Sequence, residues 1–293
     1  MKKLFKKRAW ILALGFLLVM AVSPVSYAGG IRVSPVAFCL QNADIGKELD
    51  LGVDLIITNN TSEEQVFMIR SLKPSQAKRK WLKGYSEIPD ASWFYFPEDK
   101  IKIEPNGEGK LRMHLKIPDE EKYLNQHWMV YVEVTPEAKK GQMFKIGIKP
   151  NYMIETKVNA DVKERSYGIL GLAPSTSKAQ NIIPGRRKKA SFKIYNNDNI
   201  AHTYTISSYI PKSSSAKQDI RGTPGYEWVK NANWVKPAKR KIKLNAGGTK
   251  TVRLNVLVPK YARCGDEGWE SIVMIEPDEG LSGFVRVLIE PKK

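Results

Sequence analysis

Residues 103–118 read IEPNGEGKLRMHLKIP, and residues 244–259 read LNAGGTKTVRLNVLVP. In each stretch a turn built on Asn and Gly leads into strict alternation. Leu111, Met113, Leu115 and Ile117 are apolar, with Arg112, His114 and Lys116 between them; Val252, Leu254, Val256 and Val258 repeat the phase. A period of two puts the apolar side chains on one face of a strand, so both stretches read as half-buried antiparallel sheet.

The match extends outward in both directions. Ile57 to Asn60 (ITNN) returns as Ile194 to Asn197 (IYNN), and Pro74 as Pro211, at an offset of 137. Beyond a short insertion the offset is 141, which pairs Trp93 with Trp234, Pro118 with Pro259, Trp128 with Trp269 and Pro136 with Pro277. Two units of about 130 residues are too few and too long for a solenoid, so each is expected to be a complete domain with its own core. Period-two runs recur at Leu51–Ile57, Trp128–Val134 and Phe144–Ile148, and the chain beyond its first residues shows no helical stripe. Asn59-Asn60 and Asn196-Asn197 are expected to tolerate left-handed backbone at turns. Seven or eight short strands per unit predict an all-β chain of two tandem immunoglobulin-like antiparallel β-sandwich domains, spanning residues 29–160 and 161–293. The short polar junction near Asp161–Ser166 predicts a bent rod with a groove between the modules. Lys73–Ala91 and Lys212–Gly225 read as long loops that are mobile or used for binding.

The first 28 residues read as an export signal. Five Lys and Arg side chains precede an apolar run from Trp10 to Val22, and Ser26-Tyr27-Ala28 forms a small-x-small cleavage pattern. Thirteen apolar residues are short for a span of about 20. No later stretch is expected to cross a bilayer. The mature chain is therefore expected outside the cytoplasm, periplasmic or at the cell surface. Its net charge is the full chain's +18 less the five charges of the signal, or +13. That charge calls for an anionic counterpart, and since nucleic acid is not expected outside the cell, the counterparts left are an acidic envelope or surface protein, phospholipid head groups or an anionic envelope polymer. Cys39 and Cys264 fall at non-equivalent positions of the repeat; they either pair between modules or remain buried thiols.

Catalysis needs a nucleophile with a base, a carboxylate pair or clustered metal ligands, and the sequence shows no motif for any of these. No cofactor and no metal are expected, and the chain reads as a non-enzyme. Trp128 and Trp269 fall in the inward phase of their strands and are expected in the cores. The densest aromatic run, around Trp93 and Tyr95, is a candidate ligand surface, with core packing as the alternative. Phe144, Ile146 and Ile148 suit the addition of a partner's strand to a sheet edge. Arg186, Arg187, Lys188 and Lys189 are the candidate contact to an anionic polymer.

Several stretches carry a family resemblance: GIRVSPVAF at 30–38, ITNN at 57–60, IEPNGEGKLRM at 103–113, IPDEEKYLNQHWMVYVEVTP at 117–136 and FKIGIKP at 144–150. Module 1 resembles the amino-terminal domain of PapD-like periplasmic chaperones, and the same order of motifs is similar to immunoglobulin-like modules of WxL-associated surface proteins of Gram-positive bacteria. The resemblance implies a non-catalytic, chaperone-like exported protein that engages envelope or surface proteins by sheet-edge pairing or through the groove between the modules. Pilus chaperones hold a subunit's terminal carboxylate with an arginine and a lysine; here Ala37 stands at the arginine's place and Lys149 is the match to the lysine.

Overall fold

The computed structural model describes residues 30–137, 147–162, 168–211, 220–263 and 267–292. Module 1 contains β1 (Ile31–Ser34), β2 (Ala37–Ala43), β3 (Glu48–Asn59), β4 (Gln65–Leu72), β5 (Ser86–Glu87), β6 (Phe94–Tyr95), β7 (Lys100–Ile103), β8 (Glu108–Lys116), β9 (His127–Pro136) and β10 (Asn151–Thr156). Module 2 contains β11 (Leu170–Ala173), β12 (Thr176–Ile182), β13 (Arg187–Asn196), β14 (His202–Tyr209), β15 (Tyr226–Trp228), β16 (Val235–Pro237), β17 (Lys241–Leu244), β18 (Thr249–Leu257), β19 (Gly268–Pro277) and β20 (Gly283–Pro291). The small sheet of module 1 runs β1-β3-β8-β6 and its large sheet β2-β10-β9-β4-β7, with β5 on β9. Adding ten to every label gives the sheets of module 2. The duplication read from the sequence is thus present strand by strand, and both modules are immunoglobulin-like sandwiches.

The alternating strands set the two cores. Leu111, Met113 and Leu115 of β8 pack with Leu55 and Ile57 of β3 against Trp128, Val130, Val132 and Val134 of β9; Val252, Leu254 and Val256 do the same with Phe192, Ile194 and Trp269. The hairpin before each β8-type strand closes through left-handed backbone, at Asn106 (φ 54°) in one module and Gly247 (φ 65°) in the other. The Gly107 and Gly248 amides donate back to Glu104 and Asn245. Asn and Gly are the residues that enter this region at least cost.

The paired asparagines differ from expectation. Asn59 and Asn196 end strands β3 and β13 in extended backbone and serve as side-chain staples, both 0 % exposed. Asn59 Nδ2 donates to the carbonyls of Glu63, Ile103 and Glu104 at 2.8, 3.2 and 3.1 Å. Asn196 Nδ2 donates to Ile200, Leu244 and Asn245 at 2.8, 3.3 and 2.9 Å. A buried carbonyl left without a donor costs about 1–3 kcal/mol, which is why an amide and not an apolar residue stands at this corner in both copies.

A third buried cluster lies between the modules. Tyr85, Met129, Tyr131 and Met153 of module 1 meet Ile220, Ile272, Met274 and Phe284 of module 2, all at 7 % exposure or less. All but Tyr85 and Ile220 are outward-phase residues of β9, β10, β19 and β20, so the two large sheets bury their outer faces against each other. The segment Lys73–Ala91, expected as a long loop that is mobile or used for binding, is part of this contact. It carries β5, which pairs with β9, and it buries Ala77 and Tyr85. Residues 212–219 of its counterpart lie outside the described residues.

Candidate functional site

Polar groups are also buried at the junction. Arg286 of β20, 2 % exposed, donates to both oxygens of Glu155 in β10, Nε to Oε2 at 2.7 Å and Nη2 to Oε1 at 2.6 Å, and its Nη1 pairs with Glu270 of β19. Tyr85 donates its hydroxyl to Glu155 Oε1 at 2.6 Å and the Cys39 thiol donates to the same oxygen at 3.4 Å. Glu270 accepts from the Thr223 amide at 2.6 Å. Burial works against ionisation of Glu155, but the guanidinium outweighs it and holds the carboxyl below the usual range. For Arg286, burial is likewise outweighed by Glu155 and Glu270, and the charge is held more tightly than in water. Burial pushes the Cys39 thiol well up, so it stays protonated and unreactive. His127 stacks on Phe284 with ring centroids 3.9 Å apart, and burial brings its pKa down to about 4, which makes it a neutral ring in the contact.

Breaking such a pair by removing one partner costs about 3–5 kcal/mol, because a buried charge is left uncompensated. The junction therefore fixes one relative placement of the modules. It is fastened at its rim by Lys83 with Glu276 at 2.6 Å, by the Gly84 amide on Ser282 Oγ at 3.2 Å, and by Asn125, whose Oδ1 accepts from the Ser175 amide at 3.0 Å.

Beside it opens a groove of about 270 Å³. Its walls are Lys73, Gly84, Ser86–Ile88 and Asn125–His127 of module 1 and residues 168–170, 172 and 281–283 of module 2. Trp81, Ile169 and Leu281 line it while 37, 56 and 46 % exposed, three of the ten large apolar side chains that the described residues leave in water. Lys78, Arg79 and Lys80 precede Trp81, all exposed and without an ion pair among the described residues.

The residues singled out from sequence are distributed over several places. Phe144 and Ile146 lie outside the described residues. Ile148 exchanges both backbone hydrogen bonds with Val134 of β9, at 2.9 and 3.0 Å. On its other side, no described strand pairs with residues 147–149; β2 begins to pair only at Asn151, opposite Ala37. Lys149 Nζ is 2.9 Å from Glu133 and 3.4 Å from the Ala77 carbonyl, and Glu133 is shared with Arg70 at 2.5 Å. Burial opposes the charge of Glu133, and Lys149 and Arg70 outweigh it. The Lys149 ammonium thus already has a carboxylate. Trp93 is half-buried, edge-on to Tyr123 at 4.9 Å and 5.8 Å from Trp128. Tyr95 stacks on His114 at 5.4 Å. Arg186, Arg187, Lys188 and Lys189 are exposed at the start of β13, on the far side of module 2's core from β19 and β20. Cys264 lies outside the described residues, and Cys39 is a free thiol.

The junction residues escaped the sequence reading, although a signal for them exists. HWMVYVEV and GWESIVMI carry apolar residues in both phases, whereas a strand with one wet face alternates. Among the described residues no three His, Cys, Asp or Glu side chains gather as a metal site, and no helix is long and apolar enough to cross a membrane.

No family model and no curated protein matches the chain. It is similar in shape to a Porphyromonas gingivalis W83 protein of unknown function (12 % identity over 89 % of this chain and 100 % of that one, TM-score 0.34). It is also similar to the periplasmic chaperone SfaE (12 %, 88 % and 100 %, TM-score 0.29) and the E. coli chaperone DraB (10 %, 87 % and 96 %, TM-score 0.31). The fold itself is defined by the strand order and register of this chain.

Proposed function

We propose that this is a non-catalytic exported binding protein, chaperone-like in that it holds a segment of an envelope or surface polypeptide. The junction groove carries the reading: the modules are locked to each other, and the groove they form keeps Trp81, Ile169 and Leu281 in water, with Trp81 following Lys78–Lys80, which have no ion pair among the described residues. Exposed apolar side chains gathered in one concave place mark a contact surface, and the basic rim favours a segment with acidic residues next to its apolar ones. Residues 147–149, with which no described strand pairs on the side away from β9, offer backbone groups to an extended partner strand and support the same class of function.

The test is photo-crosslinking. A photoreactive residue at 169 or 281 should yield one polypeptide adduct in envelope preparations, and the same residue at Leu257, remote from the groove, should not. Trp81→Asp with Leu281→Asp should remove the partner while leaving the melting temperature within a few degrees. Adducts of equal yield at all three positions, or a partner indifferent to the double variant, would overturn the reading.

A further inference from the structure

The duplication provides an internal control for surface charge. The small sheet of module 1 carries four acids, Glu48, Asp50, Asp54 and Glu108, against four bases, Arg32, Lys110, Arg112 and Lys116. Arg112 bridges Asp50 at 2.8 Å and Asp54 at 2.9 Å, so the face is close to neutral and cross-linked by its own ion pairs. The matching sheet of module 2 carries seven bases and no acid. Register locates the change. Glu48 faces Lys116 as Arg187 faces Leu257, so Arg187 and Lys189 stand where Glu48 and Asp50 stand in the other copy.

Strand phase decides which of the bases share a surface. Ala190, Phe192, Ile194, Val252, Leu254 and Val256 point into the core, so Arg187, Lys189, Lys193 and Arg253 project from the opposite face together with Lys236 of β16. All five are exposed, and none has an ion pair among the described residues. Lys189 and Lys236 flank Asn255 from either side, one strand apart in each direction. With strands about 4.8 Å apart and same-face residues about 6.7 Å apart, the cations form a flat grid at spacings of roughly 7–10 Å. Protection of an open edge does not explain them, since Arg253 lies on β18, which is paired on both sides. Nor does the fold require them, because module 1 builds the same sheet with balanced charge.

A flat, spaced grid does not converge on one small anion, but it matches a chain that carries a charge at every repeat. Leu257 is the single large apolar residue exposed on these four strands, which leaves little to insert into a bilayer. Lysine pairs with phosphate as a point charge and arginine through its fork. We propose that the outer face of the β11-β13-β18-β16 sheet binds a linear phosphate-bearing polymer. This site is separate from the junction groove and independent of it.

The experiment titrates the full protein with medium-chain inorganic polyphosphate, with polyglutamate and with vesicles containing phosphatidylglycerol, across a range of salt. Five phosphate contacts predict a slope of log K against log salt of about −3.5. Changing Arg187, Lys189, Lys193, Lys236 and Arg253 together to Gln should weaken polyphosphate binding by about tenfold or more. A control in which Lys78, Arg79, Lys80, Lys100 and Lys116 become Gln makes the same change in net charge and should lose far less. Arg187→Glu with Lys189→Asp, which copies the residues of module 1, tests the face with two substitutions should the fivefold variant fold poorly. Equal loss in the control would show that net charge alone binds, and equal affinity for polyglutamate would remove the preference for phosphate. Binding to vesicles without binding to polyphosphate would assign the face to membranes. Each of these outcomes overturns the proposal.

Discussion

Modules 1 and 2 place the same ten strands in the same order, and they differ in what each sheet turns outward. On the small sheets the contrast is ionic: balanced charges in module 1, and in module 2 bases without an ion pair among the described residues. On the large sheets it is a division of labour, with Glu155 supplied by one copy and Arg286 and Glu270 by the other. Even the tips differ. His202 of module 2 is held between Asp278 at 2.8 Å and Asp198 at 2.9 Å, while module 1 has Gln65 at the equivalent position. A duplicated sandwich keeps its inward residues, because each core fails without them, while its outward residues are free to diverge. Function is therefore to be sought where the two copies disagree.

The largest test of this contrast is Arg286→Met. It leaves two carboxylates buried without their cation, and denaturant unfolding should show a loss of about 3–5 kcal/mol, with the modules melting in two steps instead of one. A loss under 1 kcal/mol would mean that the junction does not couple them.

The two buried histidines should respond to pH in opposite senses. The folded pKa of His127, about 4, lies below its unfolded value of about 6.5. Its contribution is therefore intact above pH 6.5 and lost as pH falls towards 4, by about 3 kcal/mol in all. His202 is raised by its hydrogen bonds to Asp198 and Asp278, so its contribution is full below about 6.5 and is lost as pH rises through the folded value. Melting temperature against pH should fall less steeply between pH 6.5 and 4 in His127→Phe, and less steeply on the alkaline side in His202→Asn. An unchanged slope in either variant would contradict the assignment.

Smaller effects test where the copies agree. Asn59→Ala and Asn196→Ala should each cost about 1–3 kcal/mol, and by similar amounts, because each uncovers the same three carbonyls. Clearly unequal losses would mean that the corners are not equivalent. Smallest of all, Arg112→Gln removes exposed ion pairs on the neutral face, and its melting temperature should match the parent within replicate error.

The all-β fold and the duplication were legible because one residue in two is forced inward: Leu111 to Ile117 and Val252 to Val258 declare the strand, its phase and its copy. The junction was harder to read. Met129, Tyr131, Ile272 and Met274 look like ordinary strand residues until a second sheet covers them, and nothing local ties Glu155 to Arg286. The basic grid was legible only in part. Arg186 to Lys189 form a run along the chain, but Lys236 and Arg253 join their face through strand register, which pairs residues 54–70 positions apart between β13 and β18 and 17–21 apart between β16 and β18. The role of the asparagine corners was misread because turn preference and carbonyl capping select the same residue.

The separation of Glu155 and Arg286, 131 residues along the chain, also has a meaning in time. Synthesis runs from the amino terminus at about 5–20 residues per second, so module 1 is complete for roughly 7–26 s before β20 emerges. Until β20 is in place, a folded module 1 leaves Met129, Tyr131 and Met153 without their cover and the Glu155 carboxylate without its cation. The nascent first half is a sticky half-molecule awaiting its lid. β20 covers module 1 as it completes module 2, so truncation between Thr156 and Arg286 should release a protein with a finished first core and an uncovered flank.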